Sequence, residues 1–210
     1  MNVNLIKKSA RGYSAISLED EMFNYQRVIF FTHEVNADTS QQLISQLLTL
    51  ETLNPGEPIL MMINSPGGSC SDGLAIVDVM RSITSPVYTS VIGQASSMGA
   101  VLLAAGEKGH RTVSEHSKVM IHEPLISGGM GGSATSIQRT AESILETKRT
   151  INSLLAEFTG KDIKAVNKAT SFDNYMSAAE TVEFGLADSI SASLDFKGFK
   201  NSERKDTTEL

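Results

Sequence analysis

Two short turns that follow apolar runs are the first places where this sequence could do chemistry. Ser97 lies in the segment Ala-Ser-Ser-Met-Gly (95–99), between an apolar run and an apolar helical pattern. A strand–turn–helix exposes a serine oxygen beside the unbonded N–H groups of the helix N-terminus, so a nucleophile and an oxyanion could be held together there. Two other interpretations stay open, because Ser97 could simply cap the helix and Ser96 is a rival nucleophile in the same turn.

The second turn, Asn-Ser-Pro-Gly-Gly (64–68), also separates a predicted strand from a predicted helix. Paired glycines such as Gly67 and Gly68 let the backbone approach another group closely and aim an N–H into a site. An ordinary strand-to-helix turn has the same composition, so the pattern alone does not decide between the two. No Gly-Lys-Ser/Thr follows the glycines, which argues against a loop that binds nucleotide phosphates.

A general base and an orienting acid could come from His122 and Asp173. His122 directly follows the apolar run 119–121, and open α/β folds place their sites at such strand ends. Asp173 lies in a predicted loop before a helix that Ser177 is expected to cap. Four other aspartates compete with it on sequence grounds: Asp72, Asp78, Asp162 and Asp188. A Ser/His/Asp set is therefore permitted by the sequence and not required by it.

The remaining histidines lie in polar contexts and are predicted to be at the surface: His33, His110 and His116. No second histidine or cysteine has ligand spacing to His122, so no zinc site is expected.

These residues need a scaffold, and the apolar pattern predicts strands that alternate with helices. Buried strands are predicted at residues 27–31, 59–64, 87–92 and 118–121, with a turn of small residues at 93–97. Apolar residues at helical spacing follow the first three strands, and Pro55 ends the first of these helices. The alternation predicts an α/β domain with a largely parallel sheet covered on both faces.

A glycine-rich loop (127–133) precedes a long amphipathic helix that is expected to run to about Phe158 and to end at Gly160. Its apolar stripe could pack on the core of the domain or project onto a partner. We expect residues 1–21 to form an N-terminal segment or a short propeptide, residues 22–192 to form the domain, and the polar residues 193–210 to form a flexible tail.

The composition of the chain argues against nucleic-acid-binding and membrane-spanning proteins. The 210 residues carry 18 basic and 24 acidic side chains, a net charge of −6, and they contain no long basic run that would bind nucleic acid. No stretch approaches the roughly 20 apolar residues of a membrane-spanning helix, and no secretory signal opens the sequence. The single cysteine, Cys70, fits a reducing compartment. We therefore expect an acidic cytoplasmic domain.

Four segments, taken together and in order, resemble the Clp protease proteolytic subunit family (ClpP). They are Ile-Asn-Ser-Pro-Gly-Gly (63–68), Gly-Gln-Ala-Ser-Ser-Met-Gly-Ala (93–100), Met-Ile-His-Glu-Pro (120–124) and the closing segment 176–190. The resemblance implies that Ser97 is the nucleophile, His122 the general base and Asp173 the acid that orients it. It also implies that the backbone N–H groups of Gly68 and Met98 form the oxyanion hole.

The resemblance further implies a crotonase-like (ClpP) α/β fold with a parallel sheet core and a projecting handle at about residues 125–159. Seven such subunits would form a ring, and two stacked rings, a tetradecamer, would enclose a chamber that hydrolyses unfolded polypeptides. The partner would be a hexameric AAA+ unfoldase of the ClpX, ClpA or ClpC type. ATP would be consumed by that partner, so this subunit is expected to hold no cofactor and no metal.

Three departures from the family pattern suggest a second ClpP paralogue. Ser171 and Phe172 precede Asp173 where many members have an acidic residue followed by arginine, a pair that links the triad to ring–ring contact. Leu60 and Met62 replace aromatics of the surface where unfoldases dock, and the loop at 126–132 is slightly longer than usual. The alternatives are a catalytically weak or regulatory subunit that needs a partner ClpP ring, and a CoA-thioester hydratase or hydrolase of the same fold.

Overall fold

The computed structural model describes residues 4–9, 12–126 and 131–191. The predicted tail at 193–210 and part of the glycine-rich loop, residues 127–130, lie outside these ranges. The described strands are β1 (Asn4–Ser9), β2 (Gly12–Ser17), β3 (Val28–Phe31), β4 (Ile59–Ser65), β5 (Val87–Ser96), β6 (Arg111–Ser114), β7 (Lys118–Ile121), β8 (Asn174–Met176) and β9 (Ser189–Ser191). The described helices are α1 (Leu18–Gln26), α2 (Ala37–Leu53), α3 (Cys70–Ser82), α4 (Met98–Ala104), α5 (Ala134–Thr159), α6 (Ile163–Ala169) and α7 (Ala178–Phe184).

The main sheet has seven strands and forks at β5. Its path runs β3-β4-β5-β6-β9, while β7 pairs with β5 and β8 pairs with β7. The start of β5, from Thr89 to Val91, pairs with β6, and its end, from Gln94 to Ser96, pairs with β7. The pairs are parallel except β7 with β8, which are antiparallel. The expectation of an α/β fold with a largely parallel sheet is confirmed.

The core lies between the sheet and the helices packed on it. The β4 side chains of Ile59, Met61 and Ile63 are buried in one cluster with the apolar stripe of α2. All seven residues of α4 are buried, so this helix is apolar on every face, as expected for a helix inside a domain. Because α4 is packed on every face, it also holds in place the turn before it, which contains Ser97.

A smaller cluster on the other face of the sheet corrects one expectation. Leu60 and Met62, predicted on a docking surface, are buried together with Val28. Met22 of α1 and Tyr88 of β5 pack against this cluster and shield it from solvent.

Two strand boundaries also differ from prediction. Arg27 is not a strand residue; it ends α1 in the left-handed region with φ of 53°. Its buried guanidinium donates to the carbonyls of Leu50, Glu57 and Pro58, which fastens α1 to the segment before β4. The predicted turn at 93–97 is mostly strand, because β5 continues through a kink at Gly93, φ of 90°, to Ser96.

The long helix follows prediction closely. α5 has 26 residues and ends at Gly160, which adopts the left-handed conformation with φ of 70°. Its length is about 39 Å at 1.5 Å per residue, yet its buried residues, Ile151, Asn152 and Leu155, all lie in its second half. The first half therefore extends beyond the core. Within the described ranges, no helix combines the length and apolar content that a membrane crossing requires.

Candidate active site

Ser97 lies in a strained turn between β5 and α4. Its backbone has φ of 53° and ψ of −121°, a region that costs a residue with a side chain about 1–3 kcal/mol. Although it occupies the N-cap position, its side chain makes no capping hydrogen bond, which argues against the plain helix-cap interpretation. Its N–H donates to the Met120 carbonyl at 2.8 Å and so belongs to the contact with β7.

The Ser97 hydroxyl instead meets His122. The distance from Ser97 Oγ to His122 Nε2 is 2.8 Å, and the distance from His122 Nδ1 to Asp173 Oδ1 is 3.1 Å. The three side chains that the sequence suggested are therefore brought together in one hydrogen-bonded chain. With its Nδ1–H donated to Asp173, the imidazole keeps Nε2 as a proton acceptor towards Ser97.

The register of two strands explains how the histidine and the aspartate meet. Ile121, the last residue of β7, is paired with Asn174, the first residue of β8. His122 and Asp173 are the next residues outwards on these antiparallel strands, so they face each other at the end of the ladder. Asp173 was expected in a loop before a helix, and the short strand β8 in between is what directs its side chain.

The glycine pair packs directly against the serine turn. A Cβ on Gly67 would collide with the Ser96 carbonyl oxygen and would lie 2.7 Å from Ser97 Cβ. A Cβ on Gly68 would collide with the Val35 carbonyl oxygen. Both residues also have positive φ, 88° and 142°, so only glycine fits at either position without strain.

Two N–H groups beside Ser97 are free to bind an anion. The Gly68 N–H has no acceptor among the described residues. The Met98 N–H belongs to the first residue of α4 and has no carbonyl of its own helix to bond to. Both residues border the cavities that contain Ser97.

An open groove of about 1160 Å³ runs past these groups. One wall is the segment 66–71 with Glu34, and the other is a stripe of α5 from Arg139 to Thr147. That stripe spans about 12 Å of helix axis at 1.5 Å per residue, so the groove follows α5. Glu123, next to His122, is ion-paired with Lys148 of α5, which ties the histidine segment to this wall.

The competing candidates have other roles or lie elsewhere. Ser96 is buried within β5 and bonds to no histidine among the described residues. The four competing aspartates form no hydrogen bond or ion pair with His122 in the described part of the chain: Asp72 and Asp78 belong to α3, Asp162 caps α6, and Asp188 is ion-paired with Arg111. The histidines expected at the surface, His33, His110 and His116, are all exposed.

Cys70 is a second candidate nucleophile in the groove. It is partly buried at the start of α3, and burial raises the pKa of its thiol. A thiol that stays protonated is a poor nucleophile, so Ser97 with its histidine is the better candidate.

Sequence reasoning missed Glu34 and Arg139, the acidic and the basic side chain among the described residues that line the groove. Glu34 follows the carboxyl end of β3, and that position could have found it, because sites form at the carboxyl ends of parallel strands. Arg139 had no such signal, since a charged residue on an exposed helix is ordinary.

Comparison with known proteins supports the same interpretation. Residues 11–193 match the family model described as Clp protease. The chain is 44% identical over 186 residues to the ATP-dependent Clp protease proteolytic subunit of Ligilactobacillus salivarius (strain UCC118), covering 89% of this chain and 93% of that protein. The chain belongs to the Clp protease family. The predicted family and its serine endopeptidase activity are confirmed, and neither match supports the CoA-thioester alternative.

Proposed function

We propose that this Clp protease family member cleaves peptide bonds with Ser97 as nucleophile, His122 as general base and Asp173 as orienting acid. The observation that carries the proposal is the 2.8 Å contact from Ser97 Oγ to His122 Nε2 at a strained strand-to-helix turn. The hydroxyl is not a helix cap there, and its position is held at a cost in backbone strain.

In the first half of the reaction, Ser97 Oγ attacks the carbonyl carbon of the peptide bond while His122 Nε2 takes its proton. The negative charge passes to the former carbonyl oxygen, where the N–H groups of Gly68 and Met98 stabilise it. Asp173 accepts the Nδ1–H and stabilises the imidazolium that forms. His122 then gives the proton to the leaving amine, which departs and leaves an acyl group on Ser97.

In the second half, a water molecule takes the place of the amine. His122 removes its proton as the oxygen attacks the acyl carbon, and the same two N–H groups stabilise the second oxyanion. Collapse returns the proton to Ser97 Oγ and releases the new carboxyl end of the substrate. The triad is restored, and no metal or cofactor is needed for any of these steps.

The substrate that fits the groove is an extended polypeptide. A wall of about 12 Å along α5 accommodates roughly four residues at 3.3 Å each, and the groove is open rather than enclosed. An unfolded chain could lie across Ser97 with residues on both sides of the cleaved bond, which is the requirement for an endopeptidase.

Membership of the family supports a proposed assembly and a proposed partner. The relative is named as ATP-dependent, and this sequence has no Gly-x-x-x-x-Gly-Lys-Ser/Thr loop, which supports a separate AAA+ unfoldase that consumes the ATP. The half of α5 that extends beyond the core would be the handle between two heptameric rings. The described part of the N-terminal segment, residues 4–9 and 12–21, would then face the axial entrance, and the complex would work in the cytoplasm.

A second candidate is a subunit of the same complex that is active only with a paralogous ring. Phe172, beside Asp173, is 84% exposed, and this apolar side chain favours contact with another subunit. A ring with a different complementary surface could supply that contact.

The test is hydrolysis of a fluorogenic peptide by the wild type, Ser97→Ala and Ser96→Ala, with light scattering on the same samples. We expect ring-sized particles in all three, loss of turnover by at least about 10³-fold in Ser97→Ala, and near-normal turnover in Ser96→Ala. Intact but inactive wild-type rings would favour the partner-dependent subunit. Turnover that survives Ser97→Ala would contradict the proposed mechanism.

A further inference from the structure

We propose that Glu34 is a specificity-determining residue that selects substrates with a lysine or arginine within two residues of the cleaved bond. This inference rests on the proposed function, because it concerns the groove in which Ser97 would cleave. Glu34 follows β3 and lines that groove together with Ser97 and His122.

Glu34 lies over the loop that carries one of the oxyanion donors. Its Cγ is 3.0 Å from the position that a Cβ on Gly68 would occupy. The Gly68 N–H would bind the carbonyl oxygen of the cleaved peptide bond. The Glu34 carboxylate carbon is bonded to this Cγ, so the carboxylate lies near the cleaved bond. Successive residues of an extended peptide are about 3.3 Å apart, so the charge reaches side chains one or two residues from the cleaved bond.

The backbone around Glu34 is tied to this loop and to α2. The Val35 N–H donates to the Gly67 carbonyl at 2.7 Å, and the Ser69 N–H donates to the Val35 carbonyl at 2.8 Å. The Thr39 hydroxyl donates to the Glu34 carbonyl at 2.7 Å. The loop that holds the oxyanion donor therefore also holds the backbone of Glu34, which keeps the Glu34 side chain beside the groove.

The Glu34 carboxylate is free to bind a cation. It has no hydrogen bond or ion pair with any residue in the described part of the chain, and its side chain is exposed to the groove. Arg139, which also lines the groove, lies on the α5 wall and forms no ion pair with Glu34. A lysine or arginine side chain of the substrate would supply the partner that the carboxylate lacks.

The test uses internally quenched decapeptides that are cleaved at one bond and carry lysine, glutamine or glutamate at one of the four positions nearest to it. For the wild type we expect kcat/KM about two- to fivefold higher with lysine than with glutamine at one of these positions, the size expected of an exposed ion pair. Glu34→Gln should bring this ratio close to one, and Glu34→Lys should make the glutamate peptide the better substrate.

Two controls separate a local contact from a general effect of charge. Arg139→Gln also changes the charge of the groove by one unit, and it should leave the lysine-to-glutamine ratio at that position unchanged. Glu107→Gln removes the same charge from an exposed residue outside the groove, and it should keep both the ratio and the rate.

A ratio that Glu34→Gln leaves unchanged would overturn the inference, as would an equal shift of the ratio in Arg139→Gln. Neither result would touch the proposed function while hydrolysis still depends on Ser97. Failure of the proposed function would show separately, as hydrolysis that persists in Ser97→Ala.

Discussion

At the scale of single residues, His122 and Asp173 of the proposed triad differ in how far they are shielded from solvent. The side chain of His122 is 15% exposed, whereas that of Asp173 is 55% exposed. Solvent screens the Asp173 charge, so its contribution depends on holding the correct tautomer of His122 as much as on attraction to the imidazolium.

Asp173→Asn tests this role. An amide can present its N–H₂ to Nδ1, which would favour the tautomer with the proton on Nε2, so that Nε2 can no longer accept the Ser97 proton. We expect kcat to fall by about 10²- to 10⁴-fold with KM nearly unchanged, as measured by steady-state peptide hydrolysis. A decrease below about tenfold would show that Asp173 does not orient the base.

Only part of this site could be predicted residue by residue. Spacing alone left Ser96 beside Ser97 and four aspartates beside Asp173, because a catalytic hydroxyl or carboxylate has no sequence pattern of its own. The resemblance to a known family selected one member of each set. The structure adds the distances, and it adds Glu34, whose role depends on a neighbour 34 positions later in the chain.

At the scale of elements, the turn at 66–69 and the turn at Ser97 form one unit. Gly67→Ala would push a methyl group into the Ser96 carbonyl and Ser97 Cβ, in addition to straining a residue with φ of 88°. We expect loss of most peptidase activity, measured by peptide hydrolysis. We also expect the free energy of unfolding, measured by urea denaturation, to fall by about 1–3 kcal/mol or more.

Gly56→Ala is the matched control for that prediction. Gly56 has a similar φ of 81°, but nothing lies within 4 Å of its added Cβ. Gly56→Ala should therefore show the effect of backbone strain alone. We expect a modest decrease in the free energy of unfolding, with peptidase activity retained. Equal losses of activity in the two variants would show that close packing at Gly67 does not position the site.

The contact between α2 and the segment before β5 predicts a pH-dependent stability. Hydrogen bonds from Ser85 and Thr84 lower the pKa of Glu51 to about 2. A carboxyl with a lowered pKa in the folded state stabilises the fold above its ordinary pKa of about 4.5, and this stabilisation is lost as the pH falls towards 2.

Glu51→Gln should therefore be less stable than the wild type at pH 7, and the difference should shrink between about pH 4.5 and pH 2. Thermal denaturation across that range would measure it, with Glu107→Gln as the control for loss of a negative charge. A difference that stays constant with pH would contradict the role given to Glu51.

The elements that the sequence predicted are those with long apolar runs, such as β4 and β5, or with a clear helical stripe, such as α5. β6, β8, β9, α1, α6 and the β1–β2 hairpin were not predicted. The three missed strands of the main sheet have three or four residues without a continuous apolar run, unlike the equally short β3 and β7, and the hairpin contains no strong turn signal. β8 is defined by its pairing with β7, a long-range contact that no local pattern encodes.

At the scale of the whole molecule, α5 presents apolar side chains that the other described residues do not cover. Ile137 and Leu145, on the half of α5 that extends beyond the core, are 40% and 51% exposed. A helix pair from two rings would bury them, so we expect Ile137→Lys with Leu145→Lys to separate a double ring into single rings. Sizing by light scattering would measure it.

Glu146→Lys, an exposed polar position on the same helix, controls for the added positive charge and should leave the assembly intact. Double rings that persist in the variant with both Ile137→Lys and Leu145→Lys would show that this part of α5 is not the contact between rings.

The pairing of β8 with β7 also has a consequence for how the protein is made. Ser97 and His122 are 25 residues apart in the chain, but Asp173 follows His122 by 51 residues. A ribosome that synthesises the chain from its N-terminus therefore produces the nucleophile and the base well before the acid. The hydrogen-bonded set is complete only after residue 176 has left the ribosome and β8 has folded back onto β7. Incomplete chains thus lack a finished site, and proteolysis is delayed until nearly the whole domain can fold.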